Sequence, residues 1–253
     1  MQRDFSYFFR YKWFIAGMIS MNLADLFIMA IIYTGMVSTS ITSLYVSYFV
    51  FFAPGLTITA LCAAAFMIGR EINMEVRREI SHYMLSLPVK RWELALGRVL
   101  AGGLRGAVYM TPLFITTLAI TLTSPANAGP SPLQILTIIV TLLFISIGTA
   151  GLSITLAIST SSFEKYITMR SVVYYVLFFC STVFYPIELI QKTLPETLVT
   201  IAKYNPLSCG ADLSRAFLLG YPSFSPIMFL DVAAFALVFA LIATFAYMKI
   251  TQK

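Results

Sequence analysis

The chain is 253 residues long, 59% hydrophobic and only 11% charged, with a formal net charge of +6. A soluble domain of this length carries roughly 25% charged residues to cover its surface, so an ordinary cytosolic enzyme, a disordered chain and a nucleic-acid binder are excluded. What remains is an integral membrane protein, read as all-α and as one membrane domain over residues 1–253.

At the start, Met1–Lys12 sets Phe5, Phe8 and Phe9 beside Arg3, Arg10 and Lys12. This is either a short amphipathic helix lying on the membrane or a positively charged flank of the first span. The apolar run from Trp13 to about Val37 is longer than the core of a signal peptide and no cleavage site follows it, so it is expected to stay as a span. A helix needs about 20 apolar residues to cross a bilayer. Six segments meet that length: Trp13–Tyr33, Tyr48–Ile68, Val99–Leu122, Leu133–Ile158, Val172–Leu189 and Ile227–Met248.

Span one contains Asp25, with Asn22 three residues earlier on the same face. A carboxylate in hydrocarbon is costly and faces protein or water. It reads as a substrate-path or proton-relay residue, or as one half of a structural pair with Arg105 of span three, unless Arg105 snorkels toward the cytoplasm. Pro54 is expected to kink span two. Gly102 and Gly106 form a G-x-x-x-G in span three, a weak sign of close helix packing at a subunit contact.

Between spans two and three, Glu71 to Leu87 reads as a cytoplasmic helix. Ile72, Val76, Ile80, Tyr83 (or Met84) and Leu87 make one apolar stripe. Glu71, Glu75 and Glu79 make a second line, with Arg78 and His82 close by. Pro88 ends the helix and Trp92 anchors the next span at the headgroups. The helix is either a solvated surface element or a docking element for a soluble partner.

The segment Tyr185–Ser225 holds Pro186, Pro195, Pro206 and Pro222 around two short helix-like pieces, Glu196–Lys203 and Ala211–Leu219, the second stopped by Gly220. Both are too short to span and suit re-entrant or interfacial helices before span six, forming an outer gate or a packed external cap.

Charge orients the chain. Of the 17 Lys and Arg, all but Lys192, Lys203 and Arg215 lie on the amino-terminal side of the six spans, and Thr34–Ser47 and Thr123–Pro132 carry no charge. The positive-inside rule puts both termini in the cytoplasm, and an even number of spans demands that they share a side. Cys62, Cys180 and Cys209 show no metal or disulfide spacing, and the lone histidine, His82, forms no metal-ligand pattern. The 12 Met and 21 Phe read mostly as lipid-facing or core residues; a pathway wall of such side chains would favour an amphipathic or lipid-like cargo over an ion.

The segment GREINMEVRREISHYMLSLPVKRWELALGRVLAGG, Gly69–Gly103, resembles the first cytoplasmic loop of type-2 ATP-binding-cassette permeases, the drug, polysaccharide and lipo-oligosaccharide exporter class. The matching pieces are Leu85-Ser86-Leu87-Pro88-Val89 and Gly97-Arg98. Upstream lies Ala53-Pro54-Gly55-Leu56. Downstream come Phe184-Tyr185-Pro186, Tyr204-Asn205-Pro206-Leu207 and Arg215-Ala216-Phe217-Leu218-Leu219-Gly220, in the family's order over nearly the whole chain. Where many members have R-G-T-L-E, this chain has Arg77-Arg78-Glu79-Ile80-Ser81.

The resemblance implies a coupling helix seated in a separate ATPase subunit, with Glu71, Glu75, Arg77, Arg78, Glu79 and His82 as contact candidates. It also implies an external gate including Tyr204, Asn205, Pro206 and Arg215. No G-x-x-x-x-G-K-[ST] and no Gly-Lys pair occur, so the chain is not expected to be an enzyme; ATP and Mg would sit on the partner. The implied assembly in the cell membrane has two ATPase copies and two permeases, with this chain as a homodimer. The competing readings are a secondary transporter using Asp25 as its coupling carboxylate, a membrane-embedded enzyme, and a heme-export or assembly-type relative of the same class.

Overall fold

The computed structural model describes residues 10, 12–36, 48–78, 90–123, 129–220 and 225–250. Among these all regular structure is helical: α1 Lys12–Met36, α2 Tyr48–Ala65, α3 Met67–Arg77, α4 Arg91–Thr123, α5 Pro132–Ser159, α6 Phe163–Phe179, α7 Ile187–Thr193, α8 Glu196–Tyr204, α9 Pro206–Leu219 and α10 Pro226–Ile250. The first twelve residues lie outside this set except Arg10 and Lys12.

Helix starts follow local chemistry. Ser131 opens α5 with a capping box: its hydroxyl accepts from the Gln134 N–H at 3.3 Å, and Gln134 Oε1 accepts from the Ser131 N–H at 2.7 Å, with Pro132 just inside. Ser162 caps α6 by accepting from the Lys165 N–H at 3.1 Å. Gly220 closes α9 in the left-handed region, φ 70°, as its position in the sequence predicts.

Four helical stretches are long and apolar enough to cross a membrane: Tyr48–Arg77, Arg91–Thr123, Pro132–Ser159 and Pro226–Lys249. The first is the most enclosed by the rest of the chain and the last the least. Two hydrophobic clusters stack along the bundle. One joins Ala65, Ile68 and Ile72 to Ala95, Val99, Ile154, Tyr166, Ala243 and Tyr247. The other joins Ile58 and Leu61 to Met110, Phe114, Ile138, Leu142, Leu207, Leu213 and Val232. Late residues of α2–α3, α5 and α10 therefore meet early residues of α4 and α6, which is an up-and-down bundle. Its first cluster marks the end where Arg70, Arg77, Arg98 and Arg105 collect, called here the inner end.

Three expectations change. The fifth span does not run Val172–Leu189: α6 starts at Phe163 and ends at Phe179, and α7 begins only at Ile187. Ser162 supplies an early cap, and Pro186, which cannot continue a helix, precedes the new one. Nor does a separate helix start at Glu71. α3 continues α2 through Phe66, which stays in the right-handed helical region, and ends at Arg77 with Arg78 as its cap; residues 79–89 lie outside the described set. The G-x-x-x-G is consumed inside the subunit, because Gly102 faces Ile68 and Ala150 while Gly106 faces Ser146 and Ala65.

Candidate functional site: the two ends of the central helix

The rod formed by α2 and α3 is 30 residues long, about 45 Å at helical rise. Its ends carry the candidate residues.

At the inner end Ile72 is buried and Val76 packs beside it, as the apolar stripe requires. Asn73 is also buried; its Nδ2 donates to the Ala157 carbonyl at 2.9 Å, and its Oδ1 accepts from Arg77 Nε at 3.1 Å. Arg77 further donates to the Ser161 carbonyl, so it ties α3 to the α5–α6 connection. Glu71 accepts from Arg105 at 2.6 Å, and Glu75 pairs with Arg98. Both arginines are almost fully buried, at 4% and 3% exposure, against 29% and 19% for their carboxylates. Such pairs form where the cations leave water and the anions keep part of it.

Arg105 therefore pairs with Glu71 and not with Asp25. Asp25 is half-buried, and no ion pair reaches it among the described residues. Asn22 spends its amide on the Met18 carbonyl at 3.0 Å. Arg78 is exposed, while Glu79 and His82 lie outside the described residues.

The junction between α2 and α3 is satisfied from neighbouring helices. The Phe66 carbonyl accepts from Ser153 Oγ at 2.7 Å and from the Tyr166 hydroxyl at 3.4 Å. Gly69 lets Ser153 and Tyr166 approach this closely, since a Cβ would collide with both.

At the outer end three motif segments converge on Arg215. Its side chain, 1% exposed, donates to the carbonyls of Phe51 at 3.0 Å, Thr182 at 2.8 Å and Val183 at 2.9 Å, and to Asp212 Oδ1 at 2.8 Å. Its guanidinium also lies 3.6 Å from the Phe51 ring centroid. Pro54, one turn along, opens the backbone ladder here. Gly55 is required by this approach, because a Cβ would sit 2.8 Å from the Val183 carbonyl oxygen and 3.1 Å from the Arg215 side chain.

Asn205 performs two tasks. Its Oδ1 accepts from the Leu207 N–H at 3.0 Å and caps α9, with Pro206 at the first helical position. Its Nδ2 donates to the carbonyls of Leu177 and Cys180, each at 2.7 Å, and so satisfies the end of α6. Tyr204 is exposed beside it. The turn 180–186 is held further by Tyr48, whose hydroxyl donates to the Phe184 carbonyl at 3.0 Å, and by Ser208, whose Oγ accepts from the Thr182 N–H at 2.9 Å.

Asp212 completes the node, accepting also from Thr182 Oγ1 at 2.9 Å. Burial pushes its carboxyl above the ordinary range, and Arg215 and Thr182 pull back against that. Sequence reading passes over Asp212, Thr182 and Ser208, and takes Arg98 only as part of the Gly97-Arg98 motif and not as a partner of Glu75. For two of them a signal exists: Asp212 and Arg215 are i, i+3 on one helix, and Arg98 and Arg105 stand two turns apart on the helix that follows the acidic line.

The arrangement is one rod, tied by ion pairs to α4 at its inner end and by a guanidinium to α9 and the turn before α7 at its outer end. A model of the ABC-2 type transporter family matches residues 1–219, which takes in both clamps and every helix but α10. No curated protein matches the chain.

Proposed function

Since the chain belongs to the ABC-2 type transporter family, we propose that it forms the translocation pathway of an ATP-driven exporter whose motor is a separate polypeptide. At the coarser level it is a multi-pass membrane protein and a permease component of an ABC transporter. The proposal adds that α1, the α2–α3 rod, α4, α5, α6 and α10 make six crossings with both termini cytoplasmic, following the basic bias of the inner end. α6, at 17 residues, covers about 26 Å, and the turn capped by Asn205 completes its crossing.

The observation that carries this reading is α3. An amphipathic helix extends a membrane span beyond its apolar stretch on the basic side, with its apolar face packed on the bundle and Arg78 exposed at its tip. A soluble ATPase gripping that tip would move the whole rod. Arg77, Arg78, Glu79 and His82 are assigned to the ATPase contact. Glu71 and Glu75 serve coupling from inside, by fastening the rod to α4. Two ATPase copies carrying ATP and Mg would act on two copies of this chain, moving an amphipathic drug, lipid or glycan-type cargo. α7, α8 and α9, with Tyr204, Asn205, Pro206 and Arg215, close the outer end.

Co-purification with a phosphate-loop ATPase from native membranes tests the assembly. Arg78→Glu is expected to abolish that association while the isolated chain stays folded. Cargo transport by the chain alone in liposomes, driven by a pH gradient without any ATPase, would overturn the reading.

A further inference from the structure

We infer that the groove between α3 and α6 at the inner end binds the phosphate of an anionic lipid headgroup through Arg70 and Arg170. The helices cross where Gly69 meets the Tyr166 hydroxyl. Arg170 follows Tyr166 by one turn and lies 5.8 Å from the Phe66 ring centroid. Arg70 follows Phe66 by one turn on the same face of the rod. Two arginines therefore flank one helix crossing, about a turn apart along the rod.

Neither has an anionic partner among the described residues. The carboxylates of α3 are committed, Glu71 to Arg105 and Glu75 to Arg98, and Glu164, the acid of α6, is exposed and forms no ion pair among the described residues. Arg70 is exposed and Arg170 half-buried. Beside Arg170, α6 exposes Ile167, Met169 and Val172, a surface for acyl chains and not for water. A half-buried cation next to a lipid-facing surface is neutralised by an anion that itself sits at the boundary of water and hydrocarbon. A phosphodiester headgroup meets that condition and accepts bidentate donation from arginine. Assigning the site to the cytoplasmic leaflet rests on the orientation proposed above; binding itself does not.

The test uses the full-length chain in detergent micelles doped with phosphatidylglycerol or with phosphatidylcholine, with retained lipid counted by native mass spectrometry. The wild type is expected to retain phosphatidylglycerol preferentially. Arg70→Gln, at an exposed position that leaves packing intact, should lower that preference about fivefold, and Arg170→Gln by a similar factor. Arg91→Gln, an exposed inner-end arginine on α4, should leave it unchanged. Equal retention of the two lipids overturns the site, as does an equal loss in Arg91→Gln, which would mean diffuse attraction. Displacement by excess inorganic phosphate overturns the lipid assignment in favour of a free anion. No ATPase takes part, so a negative result leaves the exporter reading standing and tests the groove alone.

Discussion

Replacing Arg215 by Met keeps most of the side-chain volume but removes the polar contacts that its guanidinium makes at the outer node. Three carbonyls and Asp212 lose their donor at once. An unsatisfied buried acceptor costs about 1–3 kcal/mol, and breaking a buried ion pair costs about 3–5 kcal/mol. Asp212 is 21% exposed and keeps its Thr182 bond, so the lower end applies, about 3–4 kcal/mol in total. For a domain of this size that lowers the unfolding midpoint by roughly 10 °C. Fluorescence-detected size-exclusion thermostability in detergent measures it.

Arg215→Lys retains the charge, yet one ammonium cannot span three carbonyls and a carboxylate in a fixed fork, so it should recover less than half the loss. Asp212 supplies the sign of a pH effect. Its folded pKa already lies above the unfolded value through burial, and the Arg215→Met substitution would remove the cation that restrains it. A carboxyl raised in the folded state favours folding below that pKa and disfavours it as pH rises through it. The Arg215→Met deficit should therefore shrink on mild acidification from neutral pH. A deficit under about 1 kcal/mol, full rescue by Lys, or a deficit that grows on acidification would refute the account of this node.

At the inner end, Glu71→Gln takes the Glu71 charge away from the buried Arg105 and should cost about 1–3 kcal/mol in the same assay, whereas the exposed Arg91→Gln should stay within about 0.5 kcal/mol. Gly148 and Gly151 of α5 receive Phe235 and the Phe239–Ala240 backbone of α10, so Gly151→Leu should push α10 away and cost about 3 kcal/mol or more. Gly97→Leu, which meets nothing within 4 Å, should cost little. Cys209 is buried on α9, with its thiol pushed up to about 12 by burial. It should resist maleimide in the folded state and react only after denaturation, while the half-buried Cys180 reacts faster.

The long apolar runs make the helices legible because twenty consecutive apolar residues have no other use in water or lipid. Spans three, four and six follow from that length, with their ends displaced wherever polar first turns such as Arg91–Gly97 still wind as helix. Span five is misplaced because its apolar content straddles a turn: Leu177 to Tyr185 reads as lipid-facing sequence, yet its carbonyls are consumed by Asn205 and Arg215 from about thirty residues downstream. A partner that distant leaves no local period to read. The same holds for Glu71 and Glu75, whose spacing announces a charged face and conceals that the face is turned toward Arg105 and Arg98.

The two clamps differ in kind, and the difference bears on how the rod can move. The inner ion pairs sit where the carboxylates keep 19% and 29% exposure, so water can replace each arginine and a separated state is only a few kcal/mol away. At the outer clamp only Asp212, at 21% exposure, has such a substitute, and the three carbonyls do not. Arg215 is 1% exposed, and the carbonyls it serves belong to a helix opened by Pro54 and to a turn without helical bonds. Removing it strands acceptors that water reaches poorly. Force applied to the α3 tip is therefore expected to break Glu71–Arg105 and Glu75–Arg98 before it breaks Arg215–Phe51, with the rod pivoting about its outer end. Cysteine pairs can read that order. A crosslink placed beside the inner clamp, with Glu71, Glu75, Arg98 and Arg105 left in place, should form only in the resting state, while one placed beside the outer clamp, with Arg215 left in place, should persist when the motor is engaged. If the outer crosslink is lost first, the ranking of the clamps is reversed.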